Sequence, residues 1–276
     1  MMRRKNKHCA LEPVVVKALV LMLSVAVVTM SGCGQDTPEP TQSNLAHLMD
    51  TGRLADAEAM CRSVLSKNPE DAEARGSLAK VLCLQGDELL GKAGFFARTS
   101  GGHREPITAP KYAEARKLFE SALAEATEAL RKEPNNGRIR GTLGLALYRT
   151  GKTKEAVDEL KAALKDLKDD LRAAEVQNTL GVISYDEGKS GEALSYYQAA
   201  LSLDNTMPEV CYNLAVLYHD EYARLGRAEA REAALRYYQL FRQYSKGARD
   251  EQIEKAIGEL EDRGRADGKP EAAGKK

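Results

Sequence analysis

Apolar residues recur three and four positions apart along most of the chain, in stripes separated by glycine breaks, which is the spacing of amphipathic helices. One phrase repeats. Leu143-Gly144, Gly151, Ala156, Leu160 and Ala163-Leu164 return 37 positions later as Leu180-Gly181, Gly188, Ala193, Tyr197 and Ala200-Leu201. Each unit reads as an apolar helix, a glycine turn and a second apolar helix, about 34 residues plus a short link. Such a hairpin cannot bury its apolar face alone, so about five of them must stack. The fold class expected is all-α, with units at about 44–71, 72–136, 137–170, 174–207 and 208–247. Beyond them, Ile253, Ile257 and Leu260 stand among charged residues from Glu251 to Arg263, which predicts a capping helix over 248–263.

Two units are longer than the pattern requires. Leu214 to Ala234 spans seven residues more than Leu180 to Ala193, about one further turn on each antiparallel helix. Leu78 to Ala122 carries a surplus of 31 residues. Leu82, Leu89, Leu90, Ala93 and Phe96 continue the first helix of that unit, and Tyr112, Ala115 and Phe119 start the second one early. A long hairpin over 87–111 is expected, with a coil tip from Thr99 to Pro110 that either binds a partner or packs on a neighbour.

These residues resemble the tetratricopeptide-repeat family over roughly Ser43 to Gly247. Its motif is a Leu-Gly pair and an aromatic on helix A, a glycine turn, then Ala, an aromatic, Ala-Leu and often Pro on helix B. The first unit supplies Gly52, Ala57, Cys61, Leu65 and Pro69, and the second Leu78-Ala79, Leu82, Gly86, Ala122, Ala126, Ala129-Leu130 and Pro134. The fifth supplies Tyr212-Asn213-Leu214-Ala215, Tyr218, Ala234, Tyr238 and Phe241. Departures are the absence of any Trp and the closure of only two units by Pro. The resemblance implies a right-handed superhelical solenoid that binds other proteins along the groove formed by its A helices. The groove positions carried over are Arg138, Leu145 and Tyr148 in the third unit, and Asn178, Val182 and Tyr185 in the fourth. Tyr212, Val216 and His219 follow in the fifth. Leu145, Val182 and Val216, with Tyr148, Tyr185 and His219, would form an apolar-aromatic ladder. The subgroup that grips peptide C-termini with Lys and Asn is matched only by Lys80 and Asn178.

The first 32 residues read as a targeting segment. Arg3, Arg4, Lys5 and Lys7 precede an uncharged run of 13 residues from Ala18 to Met30, too short to span a bilayer, and then Ser31-Gly32-Cys33. The exit resembles the lipobox of bacterial lipoproteins, with Met30 where Leu is usual. That resemblance implies cleavage before Cys33, diacylation of its thiol, and an N-terminal palmitate or similar acyl chain. Gly34 after the cysteine leans toward the outer membrane, on its periplasmic face. A polar tether over 33–43 and a disordered tail over 264–276 complete the expected organisation.

Composition narrows the chemistry. Lys+Arg and Asp+Glu number 41 each, so no basic excess favours nucleic acid. Cys61, Cys83 and Cys211 have no CxxC spacing, and Cys61 and Cys211 fall on apolar helix positions, as small core residues would. Gly151-Lys152-Thr153 and Gly188-Lys189-Ser190 look like the end of a phosphate-binding loop, but the earlier glycine is replaced by Ala146 and Ile183. His47, His103 and His219 belong to no zinc or hydrolase motif. No catalytic residue, metal, nucleotide or cofactor is expected. The reading is a membrane-anchored scaffold or adaptor for protein partners in the bacterial cell envelope. A pilotin-like assembly factor for a secretin or pilus and an envelope enzyme with an unrecognised site are the alternatives.

Overall fold

Helices account for nearly all of the described backbone, and they come in antiparallel pairs. In the computed structural model the described residues are 42–92, 109–167, 171–245 and 250–267. The pairs are α1 (Gln42–Asp50) with α2 (Leu54–Lys67), α3 (Ala72–Lys92) with α4 (Ala113–Lys132), and α5 (Gly137–Arg149) with α6 (Thr153–Leu167). Then come α7 (Leu171–Asp186) with α8 (Ser190–Leu203), α9 (Pro208–Leu225) with α10 (Ala228–Tyr244), and α11 (Asp250–Asp267). The chain divides into two units, Met1–Thr41 and Gln42–Lys276, and the described residues belong to the second. The targeting segment, Cys33 and most of the tether lie outside them, as do residues 93–108, which include most of the coil tip expected from Thr99 to Pro110. Among the described residues, no helix is long and apolar enough to cross a membrane.

Small residues set how closely each pair packs. A Cβ on Gly144 would lie 2.6 Å from Leu160 Cγ, and one on Gly181 would lie 2.5 Å from the Tyr197 ring. The Leu-Gly dipeptide of helix A is thus the place where helix B presses against it. Helix B answers with alanines of zero exposure, Ala156 and Ala163 in α6, Ala193 and Ala200 in α8. Large side chains fill what remains. Leu160, Leu180, Ile183, Tyr197 and Leu214 are all buried, with exposures of 1% or less.

The turns explain the two Gly-Lys triplets. Gly151 and Gly188 have φ of +85° and +78°, and they donate to Tyr148 and Tyr185 carbonyls while Lys152 and Lys189 donate to Leu147 and Ser184. That is the left-handed close of a helix in which the following residue reaches back five positions. Gly at these points is required by backbone geometry.

Three boundaries differ from expectation. The coil expected to reach Pro110 ends earlier, because Pro110–Tyr112 forms a short 3₁₀ turn in which Tyr112 donates to Ala109 O at 3.0 Å. Pro supplies the fixed φ that starts such a turn, and the Tyr112 ring is only 2% exposed. At the start, α1 takes in Gln42 and Ser43 from the expected tether. At the other end, α11 runs to Asp267, four residues past Arg263. It buries Ile253 and Leu260 against the α9–α10 core, and the Arg231 side chain passes beside Gly264, in the space that a Cβ would take. Residues 264–267 of the expected tail are therefore helical.

Candidate functional site

Successive A helices touch, α3 with α5, α5 with α7 and α7 with α9, while successive B helices approach each other less closely. The A face is therefore the concave one. A cavity of about 120 Å³ opens on it at α3, α5 and α7, with Met49 of α1 at one edge. Glu73, Gly76, Ser77 and Lys80 line it from α3, and Arg138, Gly141, Thr142 and Leu145 from α5. Arg172, Glu175 and Thr179 close it from α7.

Register explains why the cavity is here. Gly76, Gly141, Asn178 and Tyr212 occupy one position in four successive A helices. Where that position is glycine, the next A helix comes close enough for its Ile139 or Val176 side chain to pack against the backbone. A Cβ on Gly76 would meet Ile139 Cγ1 at 2.7 Å, and one on Gly141 would meet Val176 Cγ2 at 2.9 Å. Where it is Asn178, the side chain reaches the next A helix, and Asn213 donates to Asn178 Oδ1 at 2.8 Å.

Charged pairs cross the face. Lys80 Nζ reaches Glu175 Oε2 at 2.5 Å, a pair that joins α3 to α7 and passes over α5. Arg138 pairs with Glu73 on α3. Arg149 makes a forked contact with Asp87, at 2.7 and 3.1 Å, with its guanidinium 5.2 Å from the Tyr148 ring centre. Burial alone would depress the Lys80 pKa, but the Glu175 carboxylate outweighs it and holds the ammonium above its usual range. The same contest, won by Asp87, raises Arg149. Both cations therefore stay charged on a partly desolvated surface.

Three models of the tetratricopeptide repeat match the sequence, over residues 47–88, 108–180 and 174–207. The chain carries tetratricopeptide repeats. No curated protein matches it significantly over its sequence. Among solved structures, the chain is similar to a human IFIT1 dimer with m7Gppp-AAAA at 17% identity and a TM-score of 0.56, over 77% of this chain and 42% of that one. It thus spans less than half of that protein. It is also similar to Pseudomonas aeruginosa pilF, at 21% identity and a TM-score of 0.52, over 82% of this chain and 85% of that one. A thermophilic TPR protein of Thermus thermophilus, TTC0263, matches at 20% identity and a TM-score of 0.52, over 79% of this chain and 95% of that one. At such identities the likeness shows the fold alone.

The tetratricopeptide groove divides the nine expected ligand positions. Arg138 and Leu145 line the cavity. Tyr148 and Tyr185, half-buried, donate their hydroxyls to Asp186 and Asp220, in each case on the next A helix. Their tips are thus committed to contacts between repeats, which the reading of an apolar-aromatic ladder overlooked. Tyr212 turns its ring toward Phe241 of α10, 5.5 Å between centres, and His219 Nδ1 lies 3.2 Å from the Tyr238 hydroxyl. Val182 and Val216 are half-buried. Lys80, Glu73, Arg172 and Thr179 were not among the nine, although aligning Gly76 and Gly141 against Asn178 and Tyr212 would have pointed to the gap they surround. Among the described residues, no three His, Cys, Asp or Glu side chains are placed to hold a metal ion.

Proposed function

We propose that this protein is a scaffold tethered to the bacterial envelope by a lipid on Cys33, and that it holds protein partners on the concave face of its repeats. The observation that carries the binding half is the cavity at α3, α5 and α7, where small residues leave room beside fixed charges. In a concave site a few convergent polar groups fix the orientation of what binds there. The lipid half rests on the Ser31-Gly32-Cys33 exit and the apolar run before it. Two acyl chains, at about 0.8 kcal/mol per buried CH₂, hold a soluble array at a membrane stably.

The test is affinity capture of the tagged full chain from detergent-solubilised membranes, with quantitative mass spectrometry. Thr142→Arg would place a long side chain in the cavity and should deplete the captured partners while the circular dichroism stays unchanged. Equal capture by a folded Thr142→Arg protein would refute the groove. Cys33→Ala should leave an unlipidated precursor, and a lipidated product from that variant would refute the anchor. A secretin or pilus subunit among the partners would select the narrower assembly-factor role.

A further inference from the structure

The Lys80–Glu175 pair is unusual among the contacts of this face because it skips a repeat. Arg138–Glu73, Arg149–Asp87, Tyr148–Asp186 and Tyr185–Asp220 all join neighbouring A helices. Lys80 on α3 instead reaches α7, past the α5 position where Gly141 has no side chain. The two ends of the pair are held differently. Lys80 is 25% exposed and Glu175 52%, so the ammonium is fixed in the wall while the carboxylate is largely in water. The cavity beside them is lined by three cations, Lys80, Arg138 and Arg172, and two carboxylates, Glu73 and Glu175. Turning Glu175 outward would leave one carboxylate against three cations. At about 120 Å³ the space holds about four waters by their liquid share of ~30 Å³ each, the scale of one side chain with its hydration.

We infer that this cavity is the seat for a carboxylate side chain of an extended acidic peptide segment, and that Glu175 is its resident competitor. The inference rests on the concave face being the partner site, and it names the chemistry of the partner there. An incoming Glu or Asp takes over the Lys80 ammonium and Glu175 swings into solvent. One ion pair is exchanged for another, so the exchange itself is nearly neutral. The gain comes from the peptide contacts along α5 and α7. Charge selects the partner and Glu175 sets the threshold it must exceed.

The test uses the full chain in detergent and a short fluorescein-labelled peptide of alternating Glu and Ala, with Gln-for-Glu and Lys-for-Glu counterparts, read by anisotropy. The Glu peptide should bind at least about tenfold more tightly than the Gln peptide, and weaken with salt. Glu175→Ala should tighten the Glu peptide by about two- to fivefold, the worth of one exposed ion pair, and leave the Gln peptide unchanged. Lys80→Gln should abolish the charge preference, and Lys80→Arg should keep it. A Glu175→Ala protein that is folded by circular dichroism and binds the Glu peptide no more tightly overturns the inference. So does equal binding of the Glu and Gln peptides, or no binding of either. Partners still captured from membranes in those cases would leave the scaffold standing and remove only the acidic-segment chemistry.

Discussion

Gly181→Ala should destabilise the protein, although the same change in an ordinary helix stabilises it. Two effects of opposite sign compete. Replacing glycine by alanine in a helix interior favours the helix by about 1 kcal/mol. Against that, the new Cβ would lie 2.5 and 2.6 Å from two carbons of the Tyr197 ring, where unstrained carbon contacts fall at about 3.5–4.0 Å. The ring cannot yield by about 1 Å, because Tyr197 is 1% exposed and packed with Ala174, Val210 and Leu214. Overpacking of that kind costs about 1–3 kcal/mol, so the net loss is up to about 2 kcal/mol. For an array of this size the midpoint should fall by up to roughly 8 °C. Gly191→Ala is the internal control, because a Cβ there meets nothing within 4 Å on an exposed position of α8, and it should be neutral or slightly stabilising. Both variants would be compared by thermal and urea unfolding with circular dichroism at one helix signal. If Gly181→Ala proves as stable as Gly191→Ala, the close approach of α7 to α8 is not as described.

Leu180→Ala should cost about 2–5 kcal/mol in urea unfolding, since Leu180 is 1% exposed and its loss leaves a cavity. Tyr185→Phe removes only the hydroxyl given to Asp220 and should cost no more than about 3 kcal/mol, the upper value for a hydrogen bond to a charged group, which a midpoint shift in the same assay would check. In a protein with Cys9 and Cys33 changed to Ser, the thiols should resist an aromatic disulfide reagent at about pH 8 until denatured. Burial pushes Cys83 up to about 12 and Cys61 and Cys211 up to about 11, so each stays a neutral thiol there. A rapidly reacting thiol in the native protein would contradict the packing of α2, α3 or α9.

The repeated Leu-Gly, Gly and Ala-Leu positions made the helical pairs legible because each of them is under a local demand. Gly181 is there for close packing and Gly188 for its positive φ, and both leave a mark that recurs at a fixed offset. The groove was legible as a face but not as a site. Its position follows from helix register, whereas its contents depend on which side chains reach across to neighbours. Tyr148 and Tyr185 carried the aromatic signal of a binding ladder, and their hydroxyls went instead to Asp186 and Asp220. Lys80 and Glu175 are 95 positions apart, and no periodicity of the chain brings them together on paper. The end of α11 was missed for a similar reason. The stretch from Gly264 shows no apolar periodicity, and the Arg231 side chain that packs beside Gly264 comes from a distant helix.

The decisive observation is where partners touch the array. A photo-cross-linking residue placed at Thr179, on the cavity wall, can be compared with one at Lys161, exposed on helix B of the third pair. Both proteins would be irradiated in intact envelope membranes and resolved by mass. Cross-linking to partner protein from Thr179 and none from Lys161 is the predicted result. Cross-linking from Lys161 alone would contradict the concave face as the site.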